Sequence, residues 1–355
     1  MARVGIPGNT GPGQGLRRTH TPSSEMSARF QPPTEDAIRR GAEQVAAAVA
    51  GAARQEPFFI GRNGTVEIET LYFYVGIRRG TAFQSPYPPR LIEQMQRNAG
   101  VFPGTAEALD AWAEEYLRHL SSLTGLAAGW YQPVWHLEST ILDAYAPQAF
   151  RTPLRSLEPY YSAPALQWPR LLGGRRVAVV SSFARSIRDQ LQSEGVADIW
   201  KGEQAGLLTP AAGTEPIQWS FLRTGYAPVT AMGHAGWPAG IRTWQEAVAA
   251  VVDQVVADGA EVALIGCGGL GMLIAGRLRA LGISAFVLGG AIQVLFGIKG
   301  LRWERHDVIS KFWNDAWVWP AEDEMPGGAS LIEGGCYWGR TAKLATARGG
   351  GAGGV

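Results

Sequence analysis

The hydrophobic pattern is clearest between Glu261 and Trp303, and the rest of the chain is arranged around it. Val262 to Ile265 is an apolar run ending in glycines, as a strand buried on both faces does. Gly266, Gly268, Gly269 and Gly271 follow in GCGGLG, and Met272 to Leu281 then carries apolar residues at helical spacing. A second apolar run, Ser284 to Leu288, stops at Gly289-Gly290. The unit reads as βαβ, with the backbone N–H groups of its glycine turn at a positive helix end suited to phosphate or another anion. Upstream, Arg176 to Ser182 reads as a strand, and Phe183 opens a helix to about Glu194. Ser181, Ser182 and Ser186 stand at the start of that helix, where serine commonly caps. Residues 216–222 are a further strand, and the capping box Thr243-Trp-Gln-Glu246 opens a helix to about Val256. Alternation of this kind predicts an α/β fold, Rossmann-like and doubly wound, with a mostly parallel sheet.

The N-terminal half adds a helical part. Thr34 caps a predicted helix over about 35–53, and Pro57 to Gly61 is a short apolar strand. Helices are predicted for Ile68–Val75 and for about 88–98, 106–123 and 139–149. Trp130 to Leu137 reads as aromatic and β-like. Arg151 to Arg176 is interrupted by Pro153, Pro159, Pro164 and Pro169, and predicts a connection between two sheet halves. Beyond Gly300 the chain is dense in Trp, Asn, Glu and Gly without a sustained period. That predicts a loop-rich aromatic C-terminal part with one short helix, folding back over the ligand crevice. Residues 34–340 thus read as a single α/β domain with halves of about 34–150 and 170–340. The Gly- and Pro-rich segments 1–33 and 341–355 read as a disordered and a flexible tail.

Composition narrows the function class. Hydrophobic residues make up 46% and charged residues 18% of 355 residues, enough for a large core. Lys+Arg number 32 against 31 Asp+Glu, a net +1 with no charge block, which argues against a nucleic-acid partner. Two cysteines, Cys267 and Cys336, fit a reducing compartment better than a disulfide framework. With no CxxC or HExxH and five scattered histidines, a preformed His/Cys metal site is not expected. No run of about 18 apolar residues exists, so no membrane span is expected and the chain reads as soluble and cytoplasmic. Thirteen tryptophans, all from Trp112 onward, serve as core or as stacking platforms for flat or sugar-like ligands.

GxGxxG invites a dinucleotide reading, which needs an acidic residue, or for NADP an arginine, at the end of the second strand. Leu288, Gly289 and Gly290 occupy that place, and no arginine is close in sequence, so neither nicotinamide nor flavin is expected. At the first strand, Arg62-Asn-Gly64-Thr-Val-Glu67 turns into a helix, with an Arg–Glu pair suited either to a cap or to a phosphate or metal-bound diphosphate.

These segments carry a resemblance. Arg62-x-Gly64-x-x-Glu67, Val179-Val-Ser-Ser-Phe183-Ala-x-Ser186-Ile-x-x-Gln190, Ile265-Gly-Cys-Gly268 and above all Gly289-Gly-Ala-Ile-Gln293-Val-Leu-Phe296-Gly-Ile-Lys-Gly300-x-Arg302-Trp303 resemble the GT-D class of glycosyltransferases, narrowly its bacterial polysaccharide-biosynthesis type. Asn314-Asp-Ala-Trp317-x-x-Pro320 and Gly335-Cys-Tyr337-Trp338 resemble it too, over roughly residues 56–340. The resemblance implies transfer of a sugar from a nucleotide-sugar donor to a glycan or other acceptor, helped by a divalent metal (Mn or Mg), with a homo-oligomer allowed. It implies that Arg62, Ser182, Ser186, Gly266, Gly268, Gly269, Gly271, Gly289, Gly290, Gln293, Lys299 and Arg302 surround the donor, the helix N-termini after Ser182 and Gly266 holding its diphosphate. Glu67 then orients metal or donor, Asp315 and Glu333 are candidate acceptor bases, and Trp303, Trp317 and Trp338 stack on the acceptor. One departure stands out: Thr65 occupies the place of the aspartate in the class's Asp-x-Glu motif. A hard cation prefers several oxygen ligands, so Glu67 alone is a poor site. The alternatives are a dinucleotide-dependent oxidoreductase and a non-catalytic nucleotide-sugar-binding protein.

Overall fold

Seven parallel strands form one sheet in the computed structural model, in the order β3-β2-β1-β7-β6-β4-β5. The structure describes residues 33–52, 56–78, 87–128, 135–193 and 198–339. The tail expectations for 1–32 and 341–355 lie outside these residues. The strands are β1 (Phe59–Arg62), β2 (Gly125–Ala128), β3 (Phe150–Pro153), β4 (Arg176–Ser181), β5 (Gln218–Arg223), β6 (Val262–Gly266) and β7 (Ser284–Val287). Helices of eight or more residues are α1 (Glu35–Ala52), α2 (Thr65–Arg78), α3 (Pro89–Arg97), α4 (Ala106–Leu120), α5 (Trp135–Tyr145), α6 (Ala184–Ser193), α7 (Trp244–Ala257) and α8 (Gly271–Ala280).

The pleat of the inner strands explains why the sequence reads as unbroken apolar runs there. Phe59, Val180, Ile265 and Val287 belong to one core cluster, with α2, α3, α4, α7 and α8. Their neighbours Phe58, Ile60, Val179, Leu264 and Phe286 belong to the other, with Ile187 of α6 and Val45 of α1. Side chains alternate across the sheet, and both faces are covered. Capping matches the expectation. Thr34 Oγ1 accepts the N–H of Ala37 at 3.2 Å, and Thr243 and Glu246 close a capping box at α7. The tryptophans are mostly core. Trp112, Trp168, Trp200 and Trp244 are fully buried, and each indole N–H donates to a backbone carbonyl.

Three expectations need correction. Trp135 to Leu137 belong to α5, which runs over 135–145 rather than 139–149; residues 129–134 lie outside the described part. The Pro-rich connection contains β3 at its start, an edge strand that tolerates Pro153, and β2 was hidden because Gly-Leu-Ala-Ala has neither alternation nor β-branched residues. Among the described residues after Gly300 there are four 3-10 turns rather than one short helix: Ile309–Phe312, Glu322–Glu324, Ala329–Leu331 and Glu333–Gly335.

Strand order sets where a ligand goes. β4 leads outward to β5, whereas β6 leads the other way to β7, so the carboxyl ends of β4 and β6 diverge. Open α/β sheets bind ligands at such a switch point.

Candidate functional site at the carboxyl edge of the sheet

A crevice of about 870 Å³ opens at this edge. Its walls come from the ends of β1 (Arg62, Gly64, Glu67), β4 (Ser182, Phe183), β5 (Thr224, Tyr226), β6 (Gly266 to Gly269) and β7 (Gly289, Gly290). The C-terminal segment closes it with Arg302, Trp303, His306, Glu333, Tyr337 and Trp338. Of the sequence-predicted residues, Ser186, Gly271, Gln293, Lys299, Asp315 and Trp317 are not among its lining.

Each of those six has another place. Gln293 is fully buried, and its Nε2 donates to the carbonyls of Lys299 (3.0 Å) and Tyr337 (2.7 Å), tying the C-terminal segment to the sheet. Lys299 Nζ sits over the Trp313 ring at 5.7 Å, and Asp315 is exposed. Trp317 is core, donating to the carbonyl of Ile199 at 2.9 Å. Gly271 lets α8 lie against β7, since a Cβ there would stand 3.0 Å from Val287.

Ser186 leads to the main correction. The N-terminus of α6, expected to hold the donor's diphosphate, is occupied by the protein's own Glu324. That carboxylate is fully buried and accepts the backbone N–H groups of Arg185 (2.8 Å) and Ser186 (3.2 Å) as well as the Ser186 hydroxyl. Burial pushes Glu324 above the ordinary carboxylate range, against the pull of these donors. Asp323 beside it pairs with Arg185 at 3.0 Å and Arg223 at 3.1 Å. An internal carboxylate fills the place of a ligand anion, and it pins the C-terminal segment over β4 and β5.

The glycine turn after β6 is also partly engaged by protein. It begins as a 3-10 turn, Gly268–Leu270, and the Gly269 N–H donates to the carbonyl of Ala99 at 2.8 Å. Gly268 has φ +48°, and a Cβ there would stand 2.8 Å from the same carbonyl, so both its angle and its contact require glycine.

Charge in the crevice comes from the ends of β1 and of the last segment. Arg62 is half-buried; its Nη1 donates to the carbonyl of Leu288 at 3.3 Å, and its guanidinium lies 3.5 Å from where a Cβ on Gly289 (φ +54°) would stand. Among the described residues it has no ion-pair partner, and neither has the exposed Arg155 at the crevice mouth, which lies over the Tyr161 ring at 5.1 Å. Arg302, by contrast, pairs with Glu333 at 3.0 Å and donates to Tyr337 Oη at 2.9 Å. Glu67 is half-buried at the N-terminus of α2, folded back so closely that a Cβ on Gly64 would collide with its carboxylate. Burial raises its pKa, its own backbone N–H and Arg62 pull the other way, and the charge of Glu333 adds to the rise.

Sequence reasoning missed Glu158, which lies between a helical turn, Leu154–Leu157, and a 3-10 turn, Pro159–Tyr161. It lines the crevice, and burial pushes it up to about 7 against Arg62, Arg155, the Tyr160 hydroxyl and Arg302. No motif marks it, because Arg62 and Arg302 reach it from distant parts of the chain. His306 lines the same end; burial and Arg155 hold it below the ordinary histidine range. Ser182 Oγ accepts a hydrogen bond from Tyr226 Oη at 2.8 Å, and burial pushes the Cys267 thiol up to about 12, which makes it a poor nucleophile.

The divalent metal implied by the resemblance does not fit the side chains present. Among the described residues no three His, Cys, Asp or Glu side chains converge on one point, and Thr65 stands where a second carboxylate would be. Also among these residues, no helix is long and apolar enough to cross a membrane. Compared with protein-family models, with curated proteins and with solved structures, the chain finds no match.

Proposed function

We propose that this chain transfers a glycosyl group from a nucleotide-sugar donor, bound in the carboxyl-edge crevice, to a hydroxyl acceptor. The observation that carries the reading is Arg62, a half-buried guanidinium at the end of β1 that, among the described residues, donates to the carbonyl of Leu288 and forms no ion pair. A planar guanidinium so placed suits a diphosphate, with Arg155 as a second cation toward solvent. As the anomeric C–O bond breaks, negative charge develops on the departing phosphate oxygen, and fixed cations stabilise it there. Glu67, on the β1 side, orients the donor's sugar hydroxyls.

A thermal-shift screen of UDP, GDP, CDP, their sugars, NAD and NADP, with and without manganese, tests the reading. A ligand at a hundred times its dissociation constant adds about 2.7 kcal/mol, a shift of several degrees. The expected result is a shift with one nucleoside diphosphate that is lost in Arg62→Met.

One observation favours a second reading, an NADP-dependent oxidoreductase. Arg62 and Arg302 approach Gly289 and Gly290 at the end of β7, where dinucleotide folds place the partner of a 2′-phosphate. Against it stands the glycine turn, whose Gly269 N–H is already bonded to Ala99. A shift with NADP alone decides for this second reading. A nucleotide-sugar-binding protein without turnover, suggested by Thr65, predicts the diphosphate shift and no product.

A further inference from the structure

We propose that Glu158 is the general base of the crevice, the carboxylate that takes the proton of the acceptor hydroxyl as the new glycosidic bond forms. The proposal rests on the donor reading above. Three structural observations support it. Glu158 is half-buried in the crevice wall, at the same end as the unpaired Arg62 and Arg155. The residues on both sides of it are held. The Trp168 indole donates to the carbonyl of Leu157 at 2.9 Å, Ser156 Oγ donates to the carbonyl of Ile38 at 2.8 Å, and the Tyr160 ring stacks on Trp200 at 5.5 Å and 12°. The third is that Glu158 forms no ion pair among the described residues, whereas Glu333 is held by Arg302 and Glu324 by the start of α6.

The charged and titratable groups facing Glu158 are Arg62 from β1, Arg155 from its own turn, Arg302 from the C-terminal segment, and the Tyr160 hydroxyl. Burial outweighs them and leaves the carboxyl at about 7, and a general base is most effective when its pKa lies near the pH at which it works. In the step, the acceptor O–H bond breaks and its proton passes to a Glu158 oxygen. The hydroxyl oxygen's electron pair forms the bond to the anomeric carbon. The bond from that carbon to the donor phosphate breaks, its electrons leaving with the nucleoside diphosphate. The proton then exchanges with solvent, so the sum is donor plus acceptor giving glycoside, nucleoside diphosphate and H⁺.

The test uses the full chain, UDP-, GDP- and CDP-sugars, and water as the acceptor present in every assay. Nucleoside diphosphate release is measured from pH 5 to 9 for the wild type, Glu158→Gln and Glu158→Asp, beside diphosphate-induced thermal shifts. The wild-type rate should fall as pH drops through about 7. Glu158→Gln should lose on the order of 100-fold or more in kcat and lose that acid limb, with the thermal shift intact. Glu158→Asp should recover part of the rate and keep the limb. Release by Glu158→Gln within about threefold of wild type, or a wild type that binds a diphosphate yet releases none at any pH, overturns the assignment. A wild type that no diphosphate stabilises overturns the donor reading instead, and this proposal with it.

Discussion

Glu115 offers a quantitative test of how α4 and α8 hold the site. Its carboxylate accepts two hydrogen bonds from Arg277, from Nε at 2.7 Å and Nη2 at 3.0 Å, with His119 at 3.4 Å, and its side chain is 12% exposed. Burial opposes ionisation, but His119 and Arg277 outweigh it and hold the carboxyl at about 2, against an ordinary 4.5. A drop of that size corresponds to about 3 kcal/mol of folding stability at neutral pH. The folded-state value is depressed, so this stability is present in full above 4.5 and is lost as pH falls toward 2. Glu115→Gln should therefore cost about 3 kcal/mol at pH 7 and only about 1 kcal/mol at pH 3. Urea unfolding of both proteins across that pH range measures the gap directly. A gap that does not change between pH 7 and pH 3, or one below about 1 kcal/mol throughout, would refute the assigned coupling. Thermal melts at neutral pH should show a loss of roughly 5–10 °C. The consequence reaches the crevice, because α8 begins at the glycine turn and α4 donates to it through Trp112, whose indole binds the Gly269 carbonyl at 2.9 Å.

Two further predictions follow from the crevice and its closure. Glu67→Gln should abolish diphosphate release while leaving the melting temperature within a few degrees of wild type; full activity would remove Glu67 from the site. Glu324→Ala orphans two backbone N–H groups and a buried hydroxyl and should cost about 3 kcal/mol or more, while faster proteolysis after Gly300 than elsewhere reports release of the C-terminal segment.

What the sequence revealed depended on how local each signal was. The βαβ unit from Val262, the α7 capping box and the strand from Arg176 were readable because the deciding residues are neighbours in the chain. β2 was not, since Gly125–Ala128 pairs with Phe150–Pro153 and Phe59–Arg62 without a pattern of its own. At the site, Arg62, Glu67 and the glycine turns were visible as strand-end residues, and the structure gathers them in one crevice. Glu158 was hidden because burial, rather than sequence, sets its chemistry. Ser186 was misjudged for the same reason: a helix start that looks open to a ligand met Glu324, 138 residues away. The absence of an arginine near Gly289 was likewise a statement about sequence distance, since Arg62 arrives from 226 residues upstream of Leu288.

The closing of the crevice by residues 302–338 has a consequence for the order in which the crevice forms. During synthesis the sheet is complete once Val287 has emerged, but the wall carrying Arg302, Glu333, Tyr337 and Trp338 is still to come. A nascent chain therefore has every strand of the sheet before it has this wall, and the core on that face, which includes Phe296, Trp317 and Trp338, is completed only with the last segment. In the finished protein the same dependence runs in reverse: whatever fills the crevice holds the segment down, so occupancy should slow the unfastening of this region.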